Sequence, residues 1–504
     1  MHEHTTELVT NLLLPSWFDV QSTVESKSRA ARRRRGTRNS GEVTVIQPLN
    51  SIDIIDGDDY YEIEDIENRL KSSMREPHVE QLVLSELQLE PPVIHALVDL
   101  LRTREAGDSW EAVFLEFCQG DLEGAIRAVL SLNNVRKLEI AAGIGQRTAL
   151  RALATNPVTN NETLQELSLF SIIDEEVVGW LTRCFTNNSR LRTLRLIKCT
   201  FTESAHHALA TFLASTETIQ VLTVDRCVMN RSDGDLARCI DALVRHPALK
   251  ELSIGGTLCD ESRIAVSRLL TRNKLTRLCL QNRNAIAATS SAGTHRNDIQ
   301  WIAAPIATNT SLKILDLSQR CLNDESLLAL SEALRLGTSR LEELRLHENQ
   351  IGNDGIEALA SCIPTFTTTL RRIFLHRNRF DETGAEALLK AIRQSFSIRE
   401  LTIPSMGRSS LMTKYQRLIS YETMLNCGGK HLLKDTVRNC KDKQLPPSLW
   451  PLVFERSGRH HWTPYSEDQM KGADKWRRTQ QADLTFYLLR GLAGSILSSE
   501  TTSV

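Results

Sequence analysis

The chain has 504 residues, 24% of them charged and 41% hydrophobic, and a formal net charge of −1. It contains no run of about 18 apolar residues, so composition excludes a membrane-spanning helix. Its 11 cysteines are odd in number, include no C-x-x-C pair and follow no regular framework, which argues against zinc and disulfides and for a reducing compartment.

The N-terminus does not read as a secretory leader. Its apolar stretch is only Leu12, Leu13 and Leu14 before Pro15, and Glu3 and Glu7 stand where a basic region would. Residues 1–74 read as a charge-patterned, largely disordered tail. Lys27, Arg29, Arg32, Arg33, Arg34, Arg35 and Arg38 come first, and Asp53, Asp56, Asp58, Asp59, Glu62, Glu64, Asp65 and Glu67 follow. Arg32, Arg33, Arg34 and Arg35 are a candidate nuclear import signal, because dense positive charge on a flexible tail suits an acidic receptor groove. A nucleic-acid patch is the weaker reading, and a solvated tail that neutralises its own acidic neighbour needs no partner at all. The expected location is cytoplasmic, or nuclear if that run is read for import.

From about residue 75 one spacing dominates. Leu341, Leu344, Leu346, Asn349 and Ile351 recur 29 residues later as Leu370, Ile373, Leu375, Asn378 and Phe380. Leu312, Leu315, Leu317 and Leu322 hold the same frame one unit earlier, with Arg320 in the Asn position. Twelve starts follow: Val79, Trp110, Val135, Leu164, Leu191, Ile219, Leu249, Leu275, Leu312, Leu341, Leu370 and Ile398. The intervals run from 25 to 31 residues except one of 37, where polar, small residues 284–297 read as a looped insertion. Alternation in L-x-L sends positions 4 and 6 inward and positions 3, 5 and 7 outward. Position 9, an Asn or a Cys (Cys118, Cys199, Cys227), can bond the turn from inside the stack. After the turn, Ile356, Leu359 and Ala360 recur at helical spacing within residues 353–361.

The frame L-x-x-L-x-L-x-x-N/C-x-L resembles the leucine-rich repeat, and the unit lengths resemble the ribonuclease-inhibitor type. The resemblance implies an α/β solenoid over residues 75–405, a horseshoe of about twelve repeats with parallel strands on the concave side and helices on the convex side. Pro404 should cut the last strand short. Residues 406–504 lack the frame and read as a helical C-terminal cap with a disordered end. Leu449, Trp450, Leu452 and Phe454 mark one helix, and Leu484, Tyr487, Leu488 and Leu492 mark another. That segment resembles the tails of uncharacterised leucine-rich repeat proteins of microalgal type.

Outward strand positions are the natural recognition surface. Toward the C-terminal end, Arg345, His347, Arg372, Phe374, His376 and Arg377 form a basic and aromatic cluster with Glu343 and Glu348 at its edge, which favours a partner carrying acidic groups. Toward the N-terminal end, Phe114, Phe117 and Phe170 with Ile197 read as an apolar strip. His347 and His376 lack a third ligand, so no metal site is expected. Phosphate-binding loops, zinc-protease helices and nucleophile elbows are absent, and Gly143 and Gly145 fall in a repeat's turn. The chain therefore reads as a non-catalytic intracellular scaffold that binds a protein partner, with no cofactor, small-molecule substrate, membrane or nucleic acid. The alternative is a GTPase activator of the Ran-activator type, which shares the repeat. Against it, that family ends in a long acidic tail, whereas this chain carries Arg477, Arg478 and Arg490 near its end.

Overall fold

Each frame start is followed by a strand, because the leucines at positions 4 and 6 must leave water together and an extended backbone points both the same way. The structure is a computed structural model. It describes residues 51–55 and 80–427, apart from residues 86, 103–109, 142–145, 156, 159–160, 171, 186–187, 226, 228–233, 257, 283–298, 337, 366–368 and 405–409. The strands are β1 (Ser51–Ile55), β2 (Gln81–Ser85), β3 (Trp110–Glu116), β4 (Val135–Ala141), β5 (Glu166–Phe170), β6 (Thr193–Ile197), β7 (Val221–Asp225), β8 (Glu251–Gly255), β9 (Arg277–Gln281), β10 (Ile314–Asp316), β11 (Glu343–Arg345), β12 (Arg372–Phe374) and β13 (Glu400–Thr402). They form one sheet in chain order. Neighbours pair in parallel and in register with the frame, as in Leu315↔Leu344, Leu344↔Ile373 and Ile373↔Leu401.

All twelve frame starts have their strand. The thirteenth, β1, lies inside the stretch expected to be tail, and pairs with β2 from Ser51↔Gln81 to Ile55↔Ser85. The sheet therefore begins at Ser51 rather than after residue 74. At the other end β13 stops at Thr402, ahead of Pro404. One compact unit spans Gln47–Asn426, and so runs past the expected array boundary at 405. The helix Ser410–Cys427 buries Met412 and Ile419 against the last repeat, and Asn426 Nδ2 donates to Ile398 O at 2.7 Å. The basic run Arg32–Arg35, the insertion 284–297 and the two expected C-terminal helices lie outside the described residues.

From β2 onward each strand leads to a helix, and each helix packs on the next. Several start on an acidic or amide cap: Asp121 Oδ1 accepts from Gly124 N at 2.8 Å, Asp174 Oδ1 from Val177 N at 3.0 Å and Asn323 Oδ1 from Ser326 N at 3.1 Å. Parallel strands sit about 4.8 Å apart, whereas packed helices need about 8–10 Å. Such a mismatch favours curvature with the sheet on the inner side.

Two ladders tie the repeats. At position 9, Asn349 Nδ2 donates to Leu317 O at 3.0 Å while its Oδ1 accepts from Arg320 N and Leu322 N, both at 3.0 Å. Asn378 does the same one repeat on, to Leu346 O at 2.9 Å. The thiols of Cys118, Cys199 and Cys227 take the Asn role, donating at 3.3 Å to the position-6 carbonyls of Leu84, Leu169 and Leu196. A second set of ties, which the frame did not include, lies three residues before the starts Leu164, Leu191 and Leu312. There Asn161, Asn188 and Asn309 cap the incoming strand by accepting from Leu164 N, Leu191 N and Leu312 N. Between strand and turn, position 8 adopts the left-handed region even without glycine: φ is 53° at Phe117, 52° at Lys198, 58° at Gln319 and 56° at Glu348 and Arg377.

Leu344 and Leu346 are fully buried. Leu344→Ala should cost roughly 2 to 5 kcal/mol and Asn349→Ala about 1 to 3 kcal/mol through unsatisfied turn amides. The exposed Glu357→Ala should stay within about 0.5 kcal/mol. Urea unfolding measures all three, and equal small losses would contradict this assignment of faces.

Candidate functional site on the outward sheet face

The register brings the C-terminal cluster together. Asp316, Arg345, Phe374 and Thr402 are direct neighbours across β10 to β13, as are Ile314, Glu343, Arg372 and Glu400. His347 and His376, each two residues beyond its strand, stack with ring centroids 4.5 Å apart and planes within 11°.

Charge in this cluster is matched internally, because the two glutamates expected at its edge pair with its arginines. Glu343 is not at the edge: it is 2% exposed and takes both the Arg345 guanidinium and Arg372 Nη2, the latter at 2.6 Å. Arg345 Nη1 also lies 3.7 Å from Asp316 Oδ2, and Ser318 Oγ donates to the other Asp316 oxygen at 2.6 Å. On the rim, Arg377 Nη1 holds Glu348 Oε1 at 2.8 Å, while Gln319 Nε2 donates to Glu348 Oε2 at 2.7 Å. Taking an ion pair out of water costs about as much as the pair regains. These contacts therefore fix side-chain positions more than they stabilise the fold.

Phe374 also departs from expectation. Its strand position is outward, yet the side chain is 1% exposed and the Arg345 guanidinium carbon lies 5.8 Å from the ring centroid. It supports the face from beneath and is not an anchor a partner can reach. Arg372 and Arg377 are the exposed members, with His347 and His376 half-buried.

Burial disfavours the charged form of both histidines. Burial drives His376 down to about 4, helped by His347 beside it, and burial likewise lowers His347. His376 Nδ1 and Thr402 Oγ1 share a hydrogen bond at 3.1 Å, and Thr402 Oγ1 also accepts from Leu375 N at 3.2 Å. Among the described residues no three His, Cys, Asp or Glu side chains are grouped to hold a metal.

At the other end, the apolar strip does not assemble. Phe114 lies at position 5 of β3 beneath Lys137 Nζ, 4.8 Å from the ring centroid. Phe170 lies at position 7 of β5, with β4 between them. Ile197 is buried and only Phe117, in its left-handed turn, is open, at 52% exposure. Beside Phe114, burial raises the carboxyl of Glu139 while Lys137 opposes the shift. No described helix is long and apolar enough to cross a membrane.

Parallel strands in chain order, each joined to the next by a helix packed on its neighbour, define an α/β solenoid repeat protein. The profile described as Leucine Rich repeat matches residues 308–331 and 340–360, so the chain carries leucine-rich repeats there. Among solved structures, leiomodin-1 actin-binding site 2 is 16% identical, covering 36% of this chain and 99% of its own with a TM-score of 0.28. The leucine-rich repeat-containing protein LegL7 from Legionella pneumophila is 15% identical, covering 56% of this chain and 97% of its own with a TM-score of 0.33. No curated protein matches.

Two outcomes follow from the packing. Phe374→Ala should cost roughly 3 to 5 kcal/mol by chemical denaturation; a loss within about 0.5 kcal/mol, as for a surface site, would contradict its burial. At the sheet edge, burial pushes the Glu400 carboxyl from 4.5 up to about 7, against the pull of Arg372 and with the push of Glu343. Between those values only the folded chain holds the proton, so this group's contribution falls as pH rises and is fully lost above 7. Glu400→Gln should therefore raise stability at pH 8 by about 1 to 3 kcal/mol and change little at pH 4. A variant with the parent's pH profile would contradict this.

Proposed function

We propose that the protein is a non-catalytic interaction scaffold that docks a protein partner on the outward sheet face, at the end formed by β11 to β13. The observation that carries this reading is the pre-organised cluster there. Arg345, Glu343 and Phe374 form a fixed, buried floor, from which Arg372 and Arg377 emerge beside the stacked edges of His347 and His376. Side chains already held in place lose little entropy on binding, and Arg and aromatic groups dominate interface energies. Because the arginines are paired with Glu343 and Glu348, the partner suited to this surface carries donors and acceptors in alternation rather than a bare acidic patch.

The test is a crosslinking pull-down from the native cell, followed by affinity measurement on the purified partner. Arg372→Gln combined with Arg377→Ala should weaken binding at least about tenfold, with melting curves confirming that the array is intact. Association should depend only shallowly on salt, since the local charge is nearly balanced. If the double variant binds as tightly as the parent, the cluster is a solvated face, and exposed Phe117 at the opposite end is the next residue to change.

A further inference from the structure

Successive repeats both carry a thiol at position 9 in one place along the frame, Cys199 and Cys227. β6 and β7 pair in register from Thr193↔Val221 to Ile197↔Asp225, and the same offset two residues on sets the two cysteines side by side. In-register neighbours lie about 4.8 Å apart at Cα, inside the disulfide window of about 4.4–6.8 Å. Both thiols point into the stack on successive rungs of one ladder, bonding Leu169 O and Leu196 O at 3.3 Å each. Cys118, the other position-9 thiol described, has Leu87 and Gly143 at the matching positions and so lacks a thiol neighbour there.

We propose that Cys199 and Cys227 are a reversible oxidation site, joined by hydrogen peroxide into a disulfide that staples two neighbouring repeats. Cys227 is half-buried and Cys199 fully buried, so peroxide reaches Cys227 first. The Cys227 thiolate attacks one peroxide oxygen, the O–O bond breaks, and sulfenic acid forms with release of hydroxide, which takes up the proton the thiol lost. Cys199 sulfur then attacks the Cys227 sulfur, and the sulfenic oxygen leaves as water with the Cys199 proton. The sum is two thiols and one peroxide giving one disulfide and two waters.

Two physical features set the character of this site. Side chains on in-register neighbours run parallel, so their Cβ atoms start farther apart than the roughly 3.8 Å of a relaxed bridge. Closing the bond draws the repeats together and leaves it easily reduced, which fits a labile site rather than a permanent one. The Cys199 thiol, ahead of burial, also pushes the Cys227 thiol well above its ordinary value. Oxidation should therefore be slow at neutral pH and faster as pH rises.

The experiment treats the full chain with hydrogen peroxide, blocks remaining thiols by alkylation and maps tryptic peptides without reduction. Lys198 and Arg226 place the two cysteines in separate peptides, 199–226 and 227–231. The expected product is those two peptides joined, two hydrogens lighter than their sum, and released by dithiothreitol. In Cys199→Ser, dimedone should trap sulfenic acid at Cys227. The wild-type map stands by itself should that variant fold poorly. The proposal is overturned if Cys227 advances to sulfinic or sulfonic acid while Cys199 still alkylates, if either cysteine pairs elsewhere, or if both remain thiols.

Discussion

A single strand and helix of this chain have two apolar faces and nothing within the unit to cover them. Position-4 and position-6 leucines such as Leu344 and Leu346 are fully buried because the repeats before and after supply the missing walls. That dependence on neighbours fixes the rest. It forces parallel strands into register, sets the strand spacing against the wider helix spacing, and leaves one sheet face pointing outward. Stability is then a sum of repeat and interface contributions. Breaking one rung, such as the Asn349 side chain that reaches back to Leu317 O, weakens the stack on both sides.

The outward face inherits the same register. A side chain at position 3 or 5 has its counterpart about one strand spacing away, close enough for direct pairing. Glu343 therefore meets Arg372, and Asp316 meets Arg345. The consequence is a surface whose charges are largely spent on each other, with firm geometry and little net field. Glu400, on the last strand, shows what happens where the series ends: Arg372 is already held by Glu343, and the desolvated carboxyl rises to about 7.

The repeat frame was legible because it is a constraint on volume: only apolar residues at fixed spacing fill the stack. β1 escaped because Ser51–Ile55 carries a single alternation within an acidic stretch and no described helix follows it at the usual distance. The direction of each outward side chain was also legible, but its accessibility was not. A period of two states which way Phe374 points and not that Arg345 reaches within 5.8 Å of its ring. Pairing at an offset of one repeat could have predicted the Glu343–Arg372 contact, since both residues hold position 3. The apolar strip failed for the opposite reason: Phe114 and Phe170 differ in both column and strand. The left-handed turn residues gave no signal, because Phe117 and Lys198 occupy a conformation that glycine would ordinarily mark.

The central functional claim is that this pre-organised end of the sheet is where a partner docks. Hydrogen–deuterium exchange on the full chain, with and without the partner recovered from the native cell, tests it most directly. The account predicts added protection concentrated in residues 343–349 and 372–378, with the helical side unchanged. Protection confined to the helices, with those two segments exchanging as in the unbound chain, would contradict it.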